Sequence, residues 1–86
     1  MIIGEKLSRI LADVKEDDSI INKINDSTDL INDLGLDSLQ MINFLLKIED
    51  EFNIEFDFDN LDFSLMLSFG RLTKFIEKQI SQITTE

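Results

Sequence analysis

The stretch Asp33-Leu34-Gly35-Leu36-Asp37-Ser38-Leu39 organises this chain, because it places a glycine turn directly before a helix-start signal. Gly35 leaves the backbone free of side-chain clashes at the turn. Asp37 is a favourable N-cap, and Gln40 follows three residues later, where a capping box places Glu or Gln. The pattern predicts a helix over residues 38–52 with the hydroxyl of Ser38 in its exposed first turn.

The apolar arc of this predicted helix is wider than one buried face requires. A helical wheel places Leu39, Ile42 and Leu46 on an arc of their own near Ser38, and we predict that they form an outward strip for a partner protein. The alternative is that the long loop before the helix covers them. The remaining apolar positions are assigned to the core: Met41, Phe44, Leu45, Ile48 and Phe52.

Helical spacing recurs on both sides of this element. It predicts helices over residues 2–16 and 69–83, the latter capped by Ser68, and a short helix around 58–66 that starts at Asp59 and Asn60. Residues 17–37 have no clean period and predict a long loop with one helical turn at 27–31. With no strand signal, the fold class is all-α: a small four-helix bundle with three longer helices, a short third helix and a long first loop. A chain of this length forms a single domain over residues 1–86.

Composition narrows the functional classes. The chain has 86 residues with no Cys and no His, which excludes disulfides, thiolate metal sites and the commonest general base. A serine nucleophile would lack its usual activating partner, so we predict that the chain is not an enzyme. No apolar run approaches the length of a bilayer, and no signal segment opens the chain, so we expect a cytoplasmic protein without membrane insertion.

Acidic residues dominate the middle of the chain. The net charge is −10, and between residues 24 and 70 eleven acids accompany a single base, Lys47. This surface can simply be solvated, or it can attract basic docking surfaces of partner proteins, and it disfavours nucleic acid. A calcium loop starting at Asp57 fails because Leu61, Asp62 and Ser68 stand where a ligand, glycine and glutamate are needed. No metal site is predicted.

At Asp33-Leu34-Gly35-Leu36-Asp37-Ser38-Leu39 the chain resembles the acyl carrier protein family. The resemblance continues through Ile48-Glu49-Asp50-Glu51-Phe52-Asn53-Ile54-Glu55-Phe56 and closes with Phe69, Leu72, Phe75 and Ile76. In that family a phosphopantetheinyl transferase attaches 4′-phosphopantetheine from coenzyme A to the serine of Asp-Ser-Leu. The resemblance assigns the attachment to Ser38, beside Asp37, and implies that the arm's thiol carries acyl groups as thioesters between enzymes.

The resemblance also implies two sets of binding residues. Leu39, Ile42 and Leu46 match positions that carriers present to partners, which include the transferase and enzymes that activate, transfer or extend acyl groups through basic surfaces. We expect three acids to contribute to this docking: Asp33, Glu49 and Asp50. Four residues match positions around the space that shelters an acyl chain: Phe44, Leu45, Ile48 and Phe52. We expect the carrier to be a monomer.

Three departures distinguish the chain from carriers of fatty-acid synthesis. Gln40 and Asn43 stand where those carriers usually have acids, Asp57 replaces a common proline, and residues 57–68 are slightly longer and richer in Phe. These differences favour a carrier for a specialised pathway, such as that of a polyketide, a nonribosomal peptide or a modified lipid. An aminoacyl or peptidyl carrier and an unmodified helical adaptor are the alternatives.

Overall fold

The computed structural model describes residues 3–84, with side chains up to Ser81, and this part of the chain is helical without strands. The α-helices are α1 (Ile3–Lys15), α2 (Ser38–Phe52) and α3 (Phe69–Thr84). Two 3₁₀ helices lie between them, the first at Asp18–Lys23 and the second at Phe63–Leu67. The all-α prediction is confirmed, and the short third helix of the predicted bundle is the second 3₁₀ helix. Ile2, the predicted start of the first helix, and the tail residues Thr85 and Glu86 lie outside the described residues.

The core is built around α1, which packs against both α2 and α3. Leu7 and Leu11 of α1 are fully buried, as are Leu72 and Ile76 of α3. From α2, three of the five residues assigned to the core are completely buried: Phe44, Leu45 and Ile48. The other two, Met41 and Phe52, are half-buried and pack against the edge of the core. The buried arc of α2 is therefore narrower than the helical wheel predicted.

The first loop differs from its prediction in two places. Residues 18–23 form a 3₁₀ helix that was not predicted, capped by the Asp17 carboxylate, which accepts from the Ser19 N–H at 3.0 Å. The start predicted for the helical turn at 27–31 is wrong, because the Asn25 side chain closes a separate turn by accepting from the Ser27 N–H at 2.9 Å. Helix-like hydrogen bonds begin only at Asp29, whose carbonyl accepts from the Asp33 N–H at 2.8 Å.

The predicted start of the short third helix at Asp59 and Asn60 is also wrong. The Asp57 carboxylate accepts from the Asp59 N–H at 3.2 Å and from the Asn60 side-chain amide at 2.7 Å, which holds residues 58–60 in a turn. The 3₁₀ helix instead begins after Asp62, whose carboxylate accepts from the Ser64 N–H at 2.9 Å. Asp57 and Asp62 have similar cap chemistry, but Asp57 closes a turn and only Asp62 starts the helix.

The start of α3 is tied to the first loop. Ser68 is the predicted cap, and its hydroxyl accepts from the Arg71 N–H at 3.3 Å and donates to the Asp26 carbonyl at 2.8 Å. At Gly70 a Cβ atom would lie 2.8 Å from the Asp26 Cβ, so only glycine allows the loop to approach this closely. Within residues 3–84, no helix combines the length and apolarity that crossing a bilayer requires.

Candidate functional site: the exposed serine at the start of α2

A hydrogen-bonded turn precedes the candidate site. The Asp29 carboxylate accepts from the N–H groups of Ile31 and Asn32 at 2.9 and 2.8 Å, and from the Asn32 side-chain amide at 2.6 Å. The Asp33 carboxylate reaches back and accepts from the Asp29 N–H at 2.9 Å. Donation from the Asn32 N–H and then from its side-chain amide lowers the pKa of Asp29 below its ordinary value. The ionised form of Asp29 therefore stabilises the turn.

Gly35 and Leu36 connect this turn to α2. Gly35 has φ of +69°, a left-handed conformation that residues with a Cβ atom rarely adopt. Leu36 is buried, and its N–H donates to the Leu30 carbonyl at 3.1 Å. The chain is thus anchored in the core two residues before Ser38. The hydrogen bond between these two leucines was not predicted, because no regular spacing connects them.

The predicted capping box is present at the start of α2. The Asp37 carboxylate accepts from the Gln40 N–H at 2.8 Å, and the Gln40 side chain accepts from the Asp37 N–H at 3.2 Å. Ser38 follows as the first residue of the helix and is exposed. Because Ser38 is the first residue of α2, its hydroxyl lies at the positive end of the helix macrodipole.

The outward strip next to Ser38 is exposed. Leu39 is 70% exposed, Ile42 39% and Leu46 47%. The first loop does not cover these side chains, so the alternative interpretation of the apolar arc is wrong. Apolar side chains at positions 39, 42 and 46 follow helical spacing, and together they give α2 a solvent-facing apolar surface that begins one residue after the serine.

The three predicted docking acids differ in their surroundings. Asp33 and Asp50 are exposed, whereas Glu49 is half-buried. The Glu49 carboxylate accepts from the Phe56 N–H at 2.7 Å and so fixes the segment that leaves α2. Asp33 also holds the turn described above, so two of the three acids have structural contacts in addition to the docking role predicted for them.

The residues predicted to surround an acyl chain lie in the interior of the fold. Phe44, Leu45 and Ile48 are fully buried, and Phe52 is half-buried at the edge of the core. They face the inside of the bundle, on the side of α2 opposite to the exposed strip. Among the described residues, no group of three or more acidic, His or Cys side chains is arranged to hold a metal ion.

Comparison with known proteins identifies the family. Residues 5–76 match the model of the phosphopantetheine attachment site family. The acyl carrier proteins of Sinorhizobium fredii and Rhizobium meliloti are each 34% identical to this chain over 76 residues, which cover 88% of it and 92% of the relative. This chain belongs to the acyl carrier proteins.

A solved structure agrees with this assignment. The solution NMR structure of a holo acyl carrier protein from Nitrosomonas europaea superposes with a TM-score of 0.82 at 27% identity, covering 94% of this chain and 99% of that one. As an acyl carrier protein, this chain carries acyl intermediates of biosynthesis on a covalently attached 4′-phosphopantetheine arm. Members of the family act as carriers, and their partners include the phosphopantetheinyl transferase and biosynthetic enzymes.

The geometry around Ser38 fits such an arm. The hydroxyl is exposed on a capped helix start, and the phosphodiester would lie at the first turn of α2, where unpaired N–H groups and the macrodipole favour an anion. When bound, the group supplies a thiol, which this chain without cysteine does not otherwise possess. The part played by the chain is to hold the attachment point rigid and leave it accessible.

Proposed function

We propose that Ser38 is the residue that carries the 4′-phosphopantetheine arm. Its exposure at the first position of α2 supports this assignment most directly, together with its place between Asp37 and Leu39 in the Asp-Ser-Leu stretch. The Asp37–Gln40 capping box and the buried Leu36 fix the backbone on both sides of the hydroxyl. A transferase therefore meets a preorganised acceptor, which reduces the ordering cost of binding.

Electrostatic attraction at the helix start favours the attached phosphodiester only slightly. An anionic phosphodiester near the N-terminus of a helix gains about 0.3–1 kcal/mol at an exposed site. That free energy biases the root of the arm toward α2, and the covalent bond to the serine holds the arm. Neutral Gln40 and Asn43 add no further repulsion to that of the neighbouring Asp37 carboxylate.

The exposed strip Leu39, Ile42 and Leu46 is the proposed docking surface for the transferase and for enzymes that activate, transfer or extend acyl groups. Burial of apolar surface favours protein association, and these three exposed side chains are available for it. Asp33, Glu49 and Asp50 are proposed to attract basic groups on those partners, which raises the association rate more than the affinity.

The pathway is proposed to be a specialised one. Gln40 and Asn43 make the surface next to Ser38 less acidic than the chain's net charge of −10 would suggest. A partner suited to this surface needs fewer basic groups near the serine and more apolar contact. We also propose that the carrier works in the cytoplasm. Its net charge opposes self-association and favours a monomer.

The interior beside Phe44, Leu45, Ile48 and Phe52 is proposed to shelter the acyl chain. An acyl chain buried there would bind the folded state only and would therefore stabilise it. The melting temperature should rise with acyl length, because a longer chain buries more apolar surface. Thermal melts of carrier loaded with acetyl and with octanoyl groups test this proposal. Equal melting temperatures for the two would show that the acyl chain stays outside.

Intact-mass measurement tests the central proposal. The chain is incubated with coenzyme A, magnesium and a broad-specificity transferase, and wild type should gain the mass of one phosphopantetheine. Ser38→Ala should gain none, whereas Ser27→Ala, which changes another exposed serine, should load like wild type. No mass gain by wild type, while a known carrier loads in the same reaction, would overturn the proposal and favour an unmodified helical adaptor.

A further inference from the structure

Two aspartate side chains close the turn that leads to Ser38. The Asp33 carboxylate accepts from the Asp29 N–H at 2.9 Å, and the Asp29 carboxylate accepts from the N–H groups of Ile31 and Asn32 at 2.9 and 2.8 Å. The reciprocal arrangement resembles a helix capping box, although residues 30–34 form a turn and not a helix. Asp29 and Asp33 therefore pair backbone donors at the start of the turn that the turn itself leaves free.

The solvent side of this turn has little other support. Asn32, Asp33 and Gly35 are exposed, and Leu34 is half-buried. The backbone bonds from the Asp33 and Leu34 N–H groups to the Asp29 carbonyl are 2.8 and 3.3 Å long. Segments whose backbone hydrogen bonds face water open more readily than the core does. The side-chain hydrogen bonds of the two aspartates therefore influence how often the turn is closed.

Leu30 connects the closed turn to the serine. It directly follows Asp29 and is fully buried, and its N–H donates to the Met66 carbonyl at 2.8 Å. Its own carbonyl accepts from the Leu36 N–H at 3.1 Å, two residues before Ser38. Opening of the turn would move this acceptor away from Leu36 and release the segment that enters α2.

We propose that Asp29 and Asp33 are positioning residues for loading, because their hydrogen bonds keep the turn closed and so hold the Ser38 hydroxyl in the orientation that the transferase requires. The inference rests on the proposed attachment at Ser38 and deepens it. In that reaction the serine oxygen bonds to the phosphorus that carries the pantetheine, the bond from this phosphorus to adenosine bisphosphate breaks, and the hydroxyl proton is released. Asp33 thereby has a role that is independent of its charge, since any acceptor oxygen at the same place can perform it.

The expected kinetic effect is a change of KM for the carrier. If only the closed turn is loaded, the apparent affinity of the transferase falls in proportion to the closed fraction. Loss of one capping hydrogen bond changes such an equilibrium by up to about fivefold. The kcat should change little, because the closed carrier that binds is the same in wild type and variant.

Asp33→Ala and Asp33→Asn separate the hydrogen bond from the charge. Both remove the negative charge, whereas only Asn keeps an oxygen that can accept from the Asp29 N–H. Loading with coenzyme A, magnesium and the transferase is measured in enough salt to screen the charge effect. The KM of Asp33→Asn should stay within about twofold of wild type, and that of Asp33→Ala should rise about fivefold.

A second pair of variants repeats the comparison at Asp29. Asp29→Ala should raise KM as Asp33→Ala does, and Asp29→Ser should restore most of the loss because the serine hydroxyl is a favourable cap acceptor. Asp17→Ala is the matched control. The Asp17 carboxylate accepts from the Ser19 N–H at 3.0 Å in the first 3₁₀ helix, so the variant loses the same kind of bond and the same charge. It should load like wild type, because a small loss of stability leaves almost all of the domain folded.

Hydrogen exchange of the Leu36 amide monitors the turn without any loading. This amide should exchange faster in Asp33→Ala than in Asp33→Asn or Asp17→Ala, with the amide of the fully buried Ile48 as the internal reference. Unchanged exchange at Leu36 in Asp33→Ala, an equal rise of KM for Asn and Ala at position 33, or the same defect in Asp17→Ala would overturn the inference. If wild type gains no mass, the attachment at Ser38 fails instead, and the inference that rests on it fails with it.

Discussion

The side chains of Asp37 and Gln40 form a reciprocal pair that encloses Ser38 in the first turn of α2. Each side chain accepts a hydrogen bond from the other residue's backbone N–H, at 2.8 Å for the Asp37 carboxylate and 3.2 Å for the Gln40 side chain. Two N–H groups that the helix cannot satisfy internally are thereby paired. The serine hydroxyl remains exposed between them, on a backbone that is held from both sides.

Removing this cap should destabilise the domain without distorting the core. Asp37→Ala is expected to lower the free energy of unfolding by about 1 kcal/mol, the usual cost of losing an N-cap side chain. Urea denaturation followed by circular dichroism measures the change. Asn43→Ala, at an exposed position further along α2, should stay within about 0.5 kcal/mol of wild type. An unchanged urea midpoint for Asp37→Ala would mean that the capping box contributes nothing to stability.

The exposed strip and the core side of α2 should respond differently to substitution. Ile42→Asp should alter stability by less than about 1 kcal/mol, because the side chain is 39% exposed, yet slow transferase loading about tenfold or more. Phe44→Ala, at a fully buried position of the same helix, should cost about 3–5 kcal/mol. Loading rates and urea midpoints measured in parallel separate the two effects. If Ile42→Asp unfolds the domain, Ile42 belongs to the core and the strip is misassigned.

Salt should stabilise the domain before it is loaded. Eleven acids between residues 24 and 70 repel one another, and the pair between Lys6 and Glu51, with Nζ and Oε2 3.0 Å apart, is exposed and too weak to offset them. Added sodium chloride screens the repulsion, so the melting temperature should rise between low and moderate salt. Calorimetry at both concentrations checks this expectation. A melting temperature independent of salt would mean that the acids lie too far apart to interact.

The Asp29 turn should make part of the stability depend on pH. The pKa of Asp29 is lowered in the folded state by the Asn32 N–H and side-chain amide, while the pKa of an unfolded aspartate is about 3.9. Its stabilising contribution is therefore present above about pH 4 and is lost as the pH falls through the lower folded value. The difference in unfolding free energy between wild type and Asp29→Ala should be largest at neutral pH and should shrink below about pH 4.

Asp59→Ala is the control for this pH dependence. Asp59 is exposed, and its substitution removes a negative charge of the same kind without touching the turn at residues 29–35. Its effect on unfolding free energy should be smaller than that of Asp29→Ala at neutral pH. If the difference between wild type and Asp29→Ala stays constant from pH 7 to acid conditions, hydrogen bonding to the ionised carboxylate is not what stabilises the turn.

Local signals explain which elements the sequence predicted well. Both ends of α2 were predicted at Ser38 and Phe52, because the cap residues Asp37 and Gln40 and the break at Asn53 act over a few residues. Asn53 ends the helix in a left-handed conformation at φ of 55°, a common helix terminus. Helical spacing placed the strip after Ser38 on one face of α2, whereas its exposure depends on the first loop, which the structure shows does not cover it.

Contacts between distant residues explain what was missed. The Ser68 hydroxyl donates to the Asp26 carbonyl across 42 positions, and the Leu30 N–H donates to the Met66 carbonyl at 2.8 Å. Such pairings fix the course of the first loop, yet neither partner has a sequence pattern that points to the other. The unpredicted 3₁₀ helix at residues 18–23 and the shifted start at Asp62 have a local cause instead, since several nearby aspartates offer equivalent caps.

Mass spectrometry of loaded protein tests the central claim most directly. After reaction with coenzyme A and the transferase, proteolysis and fragmentation should locate a single phosphopantetheine on the peptide that contains Ser38, with the added mass on that serine. Ser38→Ala treated in parallel should yield the same peptides unmodified. A phosphopantetheine found on any other residue, or loading of Ser38→Ala at the wild-type rate, would contradict the assignment of Ser38 as the attachment point.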